Sequence, residues 1–393
     1  MPPLAILMVV PNYYPYLGGL ERQAHTLGAA LARRGHAVTV YTRHADRALP
    51  AREQRDGVRI VRLPSAAGPL GKDLRFPLAL AARLAAGAGR FDVVHLHTKS
   101  WFILGCLPPA ALWRRPTLVK IPNVRQLGIP GMLRAPLGRQ SVWLLRRAGA
   151  WAVLSPESRA ELVAAGFPPD RIFETRNGVD TGRYAPATPV EREATRAALG
   201  LPAERPIALF AGRLAPEKGL ADLIAAWAGL PAGPGPRPLL LVCGDGPLRA
   251  ELEARARAAG VEALFAGPQA EMREHLRAAD LFALPSYAEG NSNAMLEAMA
   301  CGLPALATRV GGTAELLGAE GAPWLVEPGD VAGLRERLAR LLADPGLREA
   351  AGAALGRRAR AHFAIAAIAA HYEQCYAALR AGRPVAEVLP WPS

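Results

Sequence analysis

Short apolar runs alternate along this chain with longer stretches in which Ala, Leu and Arg recur at helical spacing. That alternation predicts βαβ units built around parallel sheets. In the first half, strands are expected at 5–10, 37–41, 58–62, 93–97, 117–121 and 151–154, with a helix over about 20–34 that Gly35 stops. Around 188–203 the pattern turns polar and proline-containing, and a new strand begins at 206–211, which marks a domain boundary. The second half repeats the scheme. Strands are expected at 207–210, 239–243, 264–266, 281–284 and 305–308, between helices at 220–228, 248–259, 272–278 and 293–300. The fold class expected is α/β, with two Rossmann-like doubly wound domains, 1–187 and 188–364, facing each other across a cleft. Sheets of this kind bind ligands at the carboxyl ends of their strands. A last helical run, 365–381 within 365–393, is expected to pack back toward the first domain.

A length of 393 residues is long for one core and comfortable for two domains. With 51% hydrophobic and 21% charged residues the chain is of the folded, not the disordered, class. Arg or Pro interrupts every apolar stretch before it reaches the roughly 20 residues of a spanning helix. The apolar start, 1–10, lacks a basic lead and a small-residue cleavage site. A cytoplasmic protein is expected, soluble or lying on a membrane face. Cys106, Cys243, Cys301 and Cys375 are scattered, without paired spacing or accompanying His, so they are expected to be reduced and buried.

Charge changes this picture. Residues 1–185 hold 26 Lys+Arg against 11 Asp+Glu, whereas the remainder holds 21 against 23. All of the net +13 therefore comes from the first half. Such a half suits a polyanionic partner: anionic lipid, a phosphorylated acceptor or nucleic acid. An Arg-rich composition with ordinary solvated charge explains it equally. Neither a recognition helix nor a basic–aromatic platform for nucleic acid is evident, so no nucleic-acid partner is expected.

Three segments carry candidate chemistry. SYAEGNSNAMLEAMACG, at 286–302, follows a strand and opens a helix whose start is rich in capping residues, Asn291, Ser292 and Asn293. Backbone N–H groups there can meet an anion. Glu289 and Glu297 flank that start, placed to meet a diol while the helix start holds a diphosphate; a capped surface helix with two solvated glutamates has the same pattern. FAGRLAPEKG, at 210–219, puts Arg213 and Lys218 in a loop directly after a strand, where two cations can clamp diphosphate oxygens. In YPYLGGLE, at 14–21, Gly18 and Gly19 allow backbone to approach a phosphate, or simply a helix to pack on a strand.

Together these residues resemble the large retaining glycosyltransferase family that includes sucrose synthase and many bacterial polysaccharide glycosyltransferases, the family 4 type (glycosyl transferases group 1) with the GT-B fold. The likeness runs in order through Gly18, Gly19 and Glu21, DVVHLH at 92–97, RNGVD at 176–180, GRLAPEKG at 212–219, CGDGP at 243–247, Glu289 and Glu297, EAMACGLPALAT at 297–308, and Gly311–Gly312. The resemblance implies transfer of a hexose or N-acetylhexosamine from a nucleoside diphosphate sugar to a carbohydrate or lipid-linked acceptor. It implies that Arg213 and Lys218 grip the diphosphate, Glu297 the ribose and Glu289 the sugar hydroxyls. Backbone at Gly290, Asn291 and Ser292 completes that site, and Gly18 and Gly19 approach the donor. No metal or cofactor is implied beyond the donor itself. Retention would come from a same-face attack, unlike the closely spaced carboxylate pair of retaining glycosidases.

Two departures stand out. Where relatives carry a sugar-contacting histidine after the strand 117–121, this chain reads KIPNV, which leaves Asn123 or Lys120 for that role; His97 is a candidate on the acceptor side. After Glu289, GNSN replaces the commoner Gly-Phe-Gly, and that wording leans toward uridine diphosphate sugars. The competing readings are a nucleotide-sugar-binding protein without transfer and a sugar-nucleotide epimerase of the same fold. An anionic membrane surface is a further expected partner, met by two basic–aromatic segments, 99–115 and 134–147.

Overall fold

The computed structural model describes residues 2–15, 18–66, 74–97, 106–122, 124, 128–135, 138–231 and 236–388. The chain forms two compact units: Met1–Gly178 with Ile365–Pro392, and Val179–Ala364.

In the first unit the strands are β1 (Ala5–Val9), β2 (Ala37–His44), β3 (Arg52–Arg55), β4 (Val58–Pro64), β5 (Val93–Leu96), β6 (Thr117–Ile121), β7 (Ala150–Val153) and β8 (Ile172–Glu174). They form one sheet in the order β3-β4-β2-β1-β5-β6-β7-β8. Every pairing is parallel except β3 with β4, a hairpin closed by Asp56 (φ 49°) and Gly57 (φ 79°). Two positive φ values are what a tight hairpin turn matching strand twist requires. β3 reads Arg-Glu-Gln-Arg, a polar edge that discourages further pairing. Side chains alternate between two cores. Val94, Leu96, Val119 and Trp151 face one, closed by helices Arg75–Ala85, Leu107–Leu112, Ile129–Arg134 and Gly138–Leu145. Val93, Leu118 and Ala150 face the other, closed by helices Gly19–Arg33 and Ile365–Arg380. Glu373 fastens the last helix: Arg34 donates Nε and Nη2 to its carboxylate at 2.5 and 2.9 Å, and His36 donates Nε2 at 2.9 Å. Leu4 N–H donates to Nδ1 of the same His36, so Nε2 carries the ring proton. The Arg34 bonds hold the Glu373 carboxyl below its ordinary range.

The second unit opens and closes at one place, where Val179 bridges to Ala364 and Val179 N–H donates to Phe363 O at 2.8 Å. Its strands are β9 (Ile207–Ala211), β10 (Leu239–Cys243), β11 (Ala263–Gly267), β12 (Leu281–Leu284), β13 (Ala305–Thr308) and β14 (Leu325–Val326), in the all-parallel order β11-β10-β9-β12-β13-β14.

The units part after Gly178, not after residue 187. The polar stretch taken from the sequence as a boundary is instead helix Pro189–Ala198 of the second unit, opened by a capping box between Thr188 and Glu191. Its inner face is polar: Arg196 is buried and donates to Ala278 O at 2.9 Å and to Asp280 at 2.6 Å, which hides the helix from a hydrophobic pattern.

Candidate functional site

Among the parallel strands of each sheet the order reverses once, between β9 and β12 in the second unit and between β1 and β5 in the first. Crevices at such switch points are where doubly wound sheets take ligands.

In the second unit the crevice is framed by loops that only glycine allows. After β9, Gly212 N–H donates to Cys243 O at 3.0 Å and Leu214 N–H to Asp245 O at 2.9 Å, which seats the 212–219 loop on the 243–247 loop. Gly244 has φ 147°, and a Cβ there would lie 1.9 Å from Gly212 O. Gly219 has φ 64°, and its Cβ would lie 1.9 Å from Pro285 O, so the end of the first loop is pressed against the end of β12. Gly311, φ 49°, passes so near Glu289 that a Cβ would sit 1.7 Å from Glu289 O, and Gly312 N–H donates to Gly290 O at 3.0 Å.

Those approaches bring the predicted residues together. Lys218 Nζ donates to Glu289 Oε1 at 2.5 Å, and Ser286 Oγ donates to the same oxygen at 2.8 Å. Ser286 is fully buried, and Thr308 Oγ1 donates to its carbonyl, tying β13 to the loop. Helix Asn293–Ala300 starts beside them, with Ser292 as N-cap accepting from Met295 N–H at 3.3 Å. Asn291 and Glu297 are both buried at that start. Arg213 is exposed at the end of β9 and has no ion pair among the described residues. Burial, and after it the Glu297 carboxylate, push the Cys301 thiol up to about 12, so it is not a nucleophile. Among the described residues the loops after β9 and β12 thus carry an exposed arginine without an ion pair, the Lys218–Glu289 pair, and a helix start near which Asn291 and Glu297 are buried. Chemically that is a site for an anion joined to a polyol. Among the described residues no three His, Cys, Asp or Glu side chains gather as around a metal ion.

The first unit's predicted residues are placed differently. Gly18 caps helix Gly19–Arg33, but the Glu21 carboxylate folds back to accept from the Gly18 N–H. The helix start offered to a phosphate is thereby met by the chain's own anion, with the carboxyl raised by its burial. His97 follows β5 at the switch point and is fully buried, its ring 4.0 Å from that of His95. Neither His97 ring nitrogen has a partner among the described residues, and burial holds the ring neutral, its pKa well below the usual histidine value. His95 Nδ1 shares a 2.8 Å bond with the Tyr376 hydroxyl. Lys120 does not reach outward: it is buried and donates to Asn177 Oδ1 at 2.8 Å, with burial pushing its amine down to about 7. Asn123, Lys99, Trp101 and Phe102 lie outside the described residues. Tyr13, His25 and Asp56 make a relay that the sequence did not suggest: Tyr13 Oη to His25 Nδ1 and His25 Nε2 to Asp56 Oδ2, each 2.8 Å. It pins the segment after β1.

Ser286 and Thr308 were not singled out from the sequence, and Glu21 was named there only as part of the glycine turn. Ser286 had a signal, since it stands three residues before Glu289 at a strand end; Thr308 had none.

The profile of glycosyl transferases group 1 matches residues 191–358, and that of Glycosyltransferase Family 4 matches residues 17–183. The chain is 33% identical over 372 residues to a D-inositol 3-phosphate glycosyltransferase of Xylanimonas cellulosilytica, covering 87% of this chain and 88% of that one. Among solved structures it resembles sucrose-phosphate synthase from Thermosynechococcus elongatus, with TM-score 0.78, 25% identity and coverage of 96% and 99%. It also resembles Anabaena Alr3699/HepE in complex with UDP and glucose, with TM-score 0.79, 22% identity and coverage of 95% and 100%.

Proposed function

This chain belongs to the group 1 glycosyltransferases of the family 4 type, with the GT-B fold, and on that premise we propose that it moves a hexose or N-acetylhexosamine from a nucleoside diphosphate sugar to an acceptor with retention of configuration. The observation that carries this is the switch point between β9 and β12, where the loop bearing Arg213 and Lys218 follows β9 and Lys218 pairs with Glu289 ahead of helix Asn293–Ala300, which bears Glu297. Arg213, Lys218 and the helix amides supply the positive field for the diphosphate, so the reaction runs without metal. Glu297 receives the ribose hydroxyls and Glu289 those of the sugar. The wording GNSN favours uridine as the base. The two cations favour transfer over passive binding, because they act where charge develops on the leaving diphosphate. Calorimetric titration with UDP, GDP and ADP, against duplex DNA as control, tests the site. One nucleotide should bind and DNA should not; the reverse overturns the reading.

A specific observation adds a membrane partner. Trp143 is 58% exposed, Trp113 43% and Leu112 75%, on or directly after helices that close one face of the first unit's sheet. Arg147 lies 3.2 Å over the Trp143 ring. Residues 101–150 carry eight basic and no acidic residues. Exposed indoles and leucines among arginines suit an anionic lipid surface, where a lipid-linked acceptor would arrive. The relative named for D-inositol 3-phosphate equally favours a phosphorylated polyol for this basic unit. No helix among the described residues is long and apolar enough to cross a membrane.

A further inference from the structure

Lys218 and Glu289 neutralise each other across 2.5 Å, with side-chain exposures of 22% and 9%. A carboxylate so placed occupies the cation that a diphosphate oxygen needs. It cannot withdraw into solvent, because Ser286 holds the same oxygen and Gly311 is packed against its backbone. Taking Lys218 from Glu289 therefore leaves a mostly buried carboxylate short of a partner, which is costly unless another donor replaces the amine. Hydroxyl groups of a sugar are such donors; a free nucleoside diphosphate brings none to that spot.

We propose that the Lys218–Glu289 pair makes the site discriminate the sugar-bearing nucleotide from the free nucleoside diphosphate. The inference rests on the reading of Glu289 as the partner of the transferred sugar. When the donor enters, Lys218 turns to the diphosphate and the sugar hydroxyls take its place on Glu289, so the carboxylate stays satisfied. Once the sugar has left, Glu289 reclaims Lys218 and the spent nucleotide keeps Arg213 and the helix amides alone. Arg213 has no such competitor among the described residues, which separates the roles of the two cations: Arg213 holds any diphosphate, and Lys218 holds one that still carries its sugar. Glu289 is thus an internal rival to the product, and its charge speeds product release.

The test is calorimetry on the full chain with UDP, GDP and ADP, using Glu289→Gln, Lys218→Ala and the double variant. Glu289→Gln should bind the free nucleotide at least about tenfold tighter than the wild type, the size of one freed charge-assisted bond. In the Lys218→Ala background the same change should alter affinity by less than about threefold, since coupling through Lys218 is gone. Equal tightening in both backgrounds would mean that Glu289 acts only as a nearby negative charge, and no tightening would mean that it does not compete; either overturns the proposal. Binding of none of the three nucleotides by wild type or variant overturns instead the donor-site reading beneath it. If Glu289→Gln does not fold by circular dichroism, Glu289→Asp, which draws the carboxylate back by one methylene, carries the same expectation and the same refutations.

Discussion

Replacing Lys218 or Glu297 by alanine should lower donor turnover at least about tenfold, because each change removes a charge-assisted hydrogen bond of about 1.5–3 kcal/mol. Initial rates with a folded variant check this, and wild-type rates in both variants would remove them from the site. Arg213 and Lys218 could be singled out in the sequence because their loop directly follows an apolar run, and Glu289 and Glu297 because they flank a capped helix start. The residues that aim them could not. Thr308 reaches Glu289 only through the Ser286 carbonyl, a contact between loops of different strands that no spacing encodes. Around Gly18 and Gly19 the structure adds a contact that the spacing does not show. A glycine pair before a helix invites an anion from outside, yet Glu21 supplies one from the helix's own first turn.

At the scale of elements, Lys120 joins the end of β6 to Asn177, the last residue but one of the first unit's main segment. Its amine falls from an ordinary 10.5 when unfolded to about 7 when folded. Between those values the unfolded chain binds the extra proton, so this group's contribution to stability rises with pH from about 7 toward 10 and is flat and unfavourable below 7. The melting temperature of wild type relative to Lys120→Met should therefore climb between pH 7 and 9, the comparison cancelling tyrosine and cysteine titration. A pH-independent difference would show that the amine is not depressed. Most strands were legible: those predicted at 5–10, 93–97, 281–284 and 305–308 lie within one residue of those observed, and of the fewer helices predicted, Leu220–Ala228 and Asn293–Ala300 match to the residue. β3, β8 and β14 were not. β8 and β14 span three and two residues, too few to show a period, and β3 has no hydrophobic residue at all. Helix Pro189–Ala198 was hidden because arginine, not leucine, fills its inner face.

At the scale of the whole molecule, the charge asymmetry and the exposed Trp113 and Trp143 belong to the same unit. Binding to vesicles should rise with the fraction of anionic lipid, fall with added salt, and weaken in an Arg146→Glu, Arg147→Glu variant, all measured by co-sedimentation. Equal partition onto neutral and anionic vesicles, or none at low salt, would leave the basic face to a soluble phosphorylated acceptor. The sequence placed Trp143, Leu144 and Leu145 together in this segment, but only burial separates them: Leu145 is core, and Trp143 faces out. Composition showed that the positive charge was concentrated, not which side chains share a surface.

The central claim is that this chain cleaves a nucleoside diphosphate sugar with its own cations in place of a metal. Turnover of a panel of UDP-, GDP- and ADP-sugars by the full chain, measured with excess EDTA and again with added manganese, tests it most directly. One donor should be consumed at the same rate in both conditions, and Lys218→Ala and Glu297→Ala should each be slower by at least about tenfold. Turnover that vanishes in EDTA and returns with manganese, or that is untouched in both variants, would contradict it.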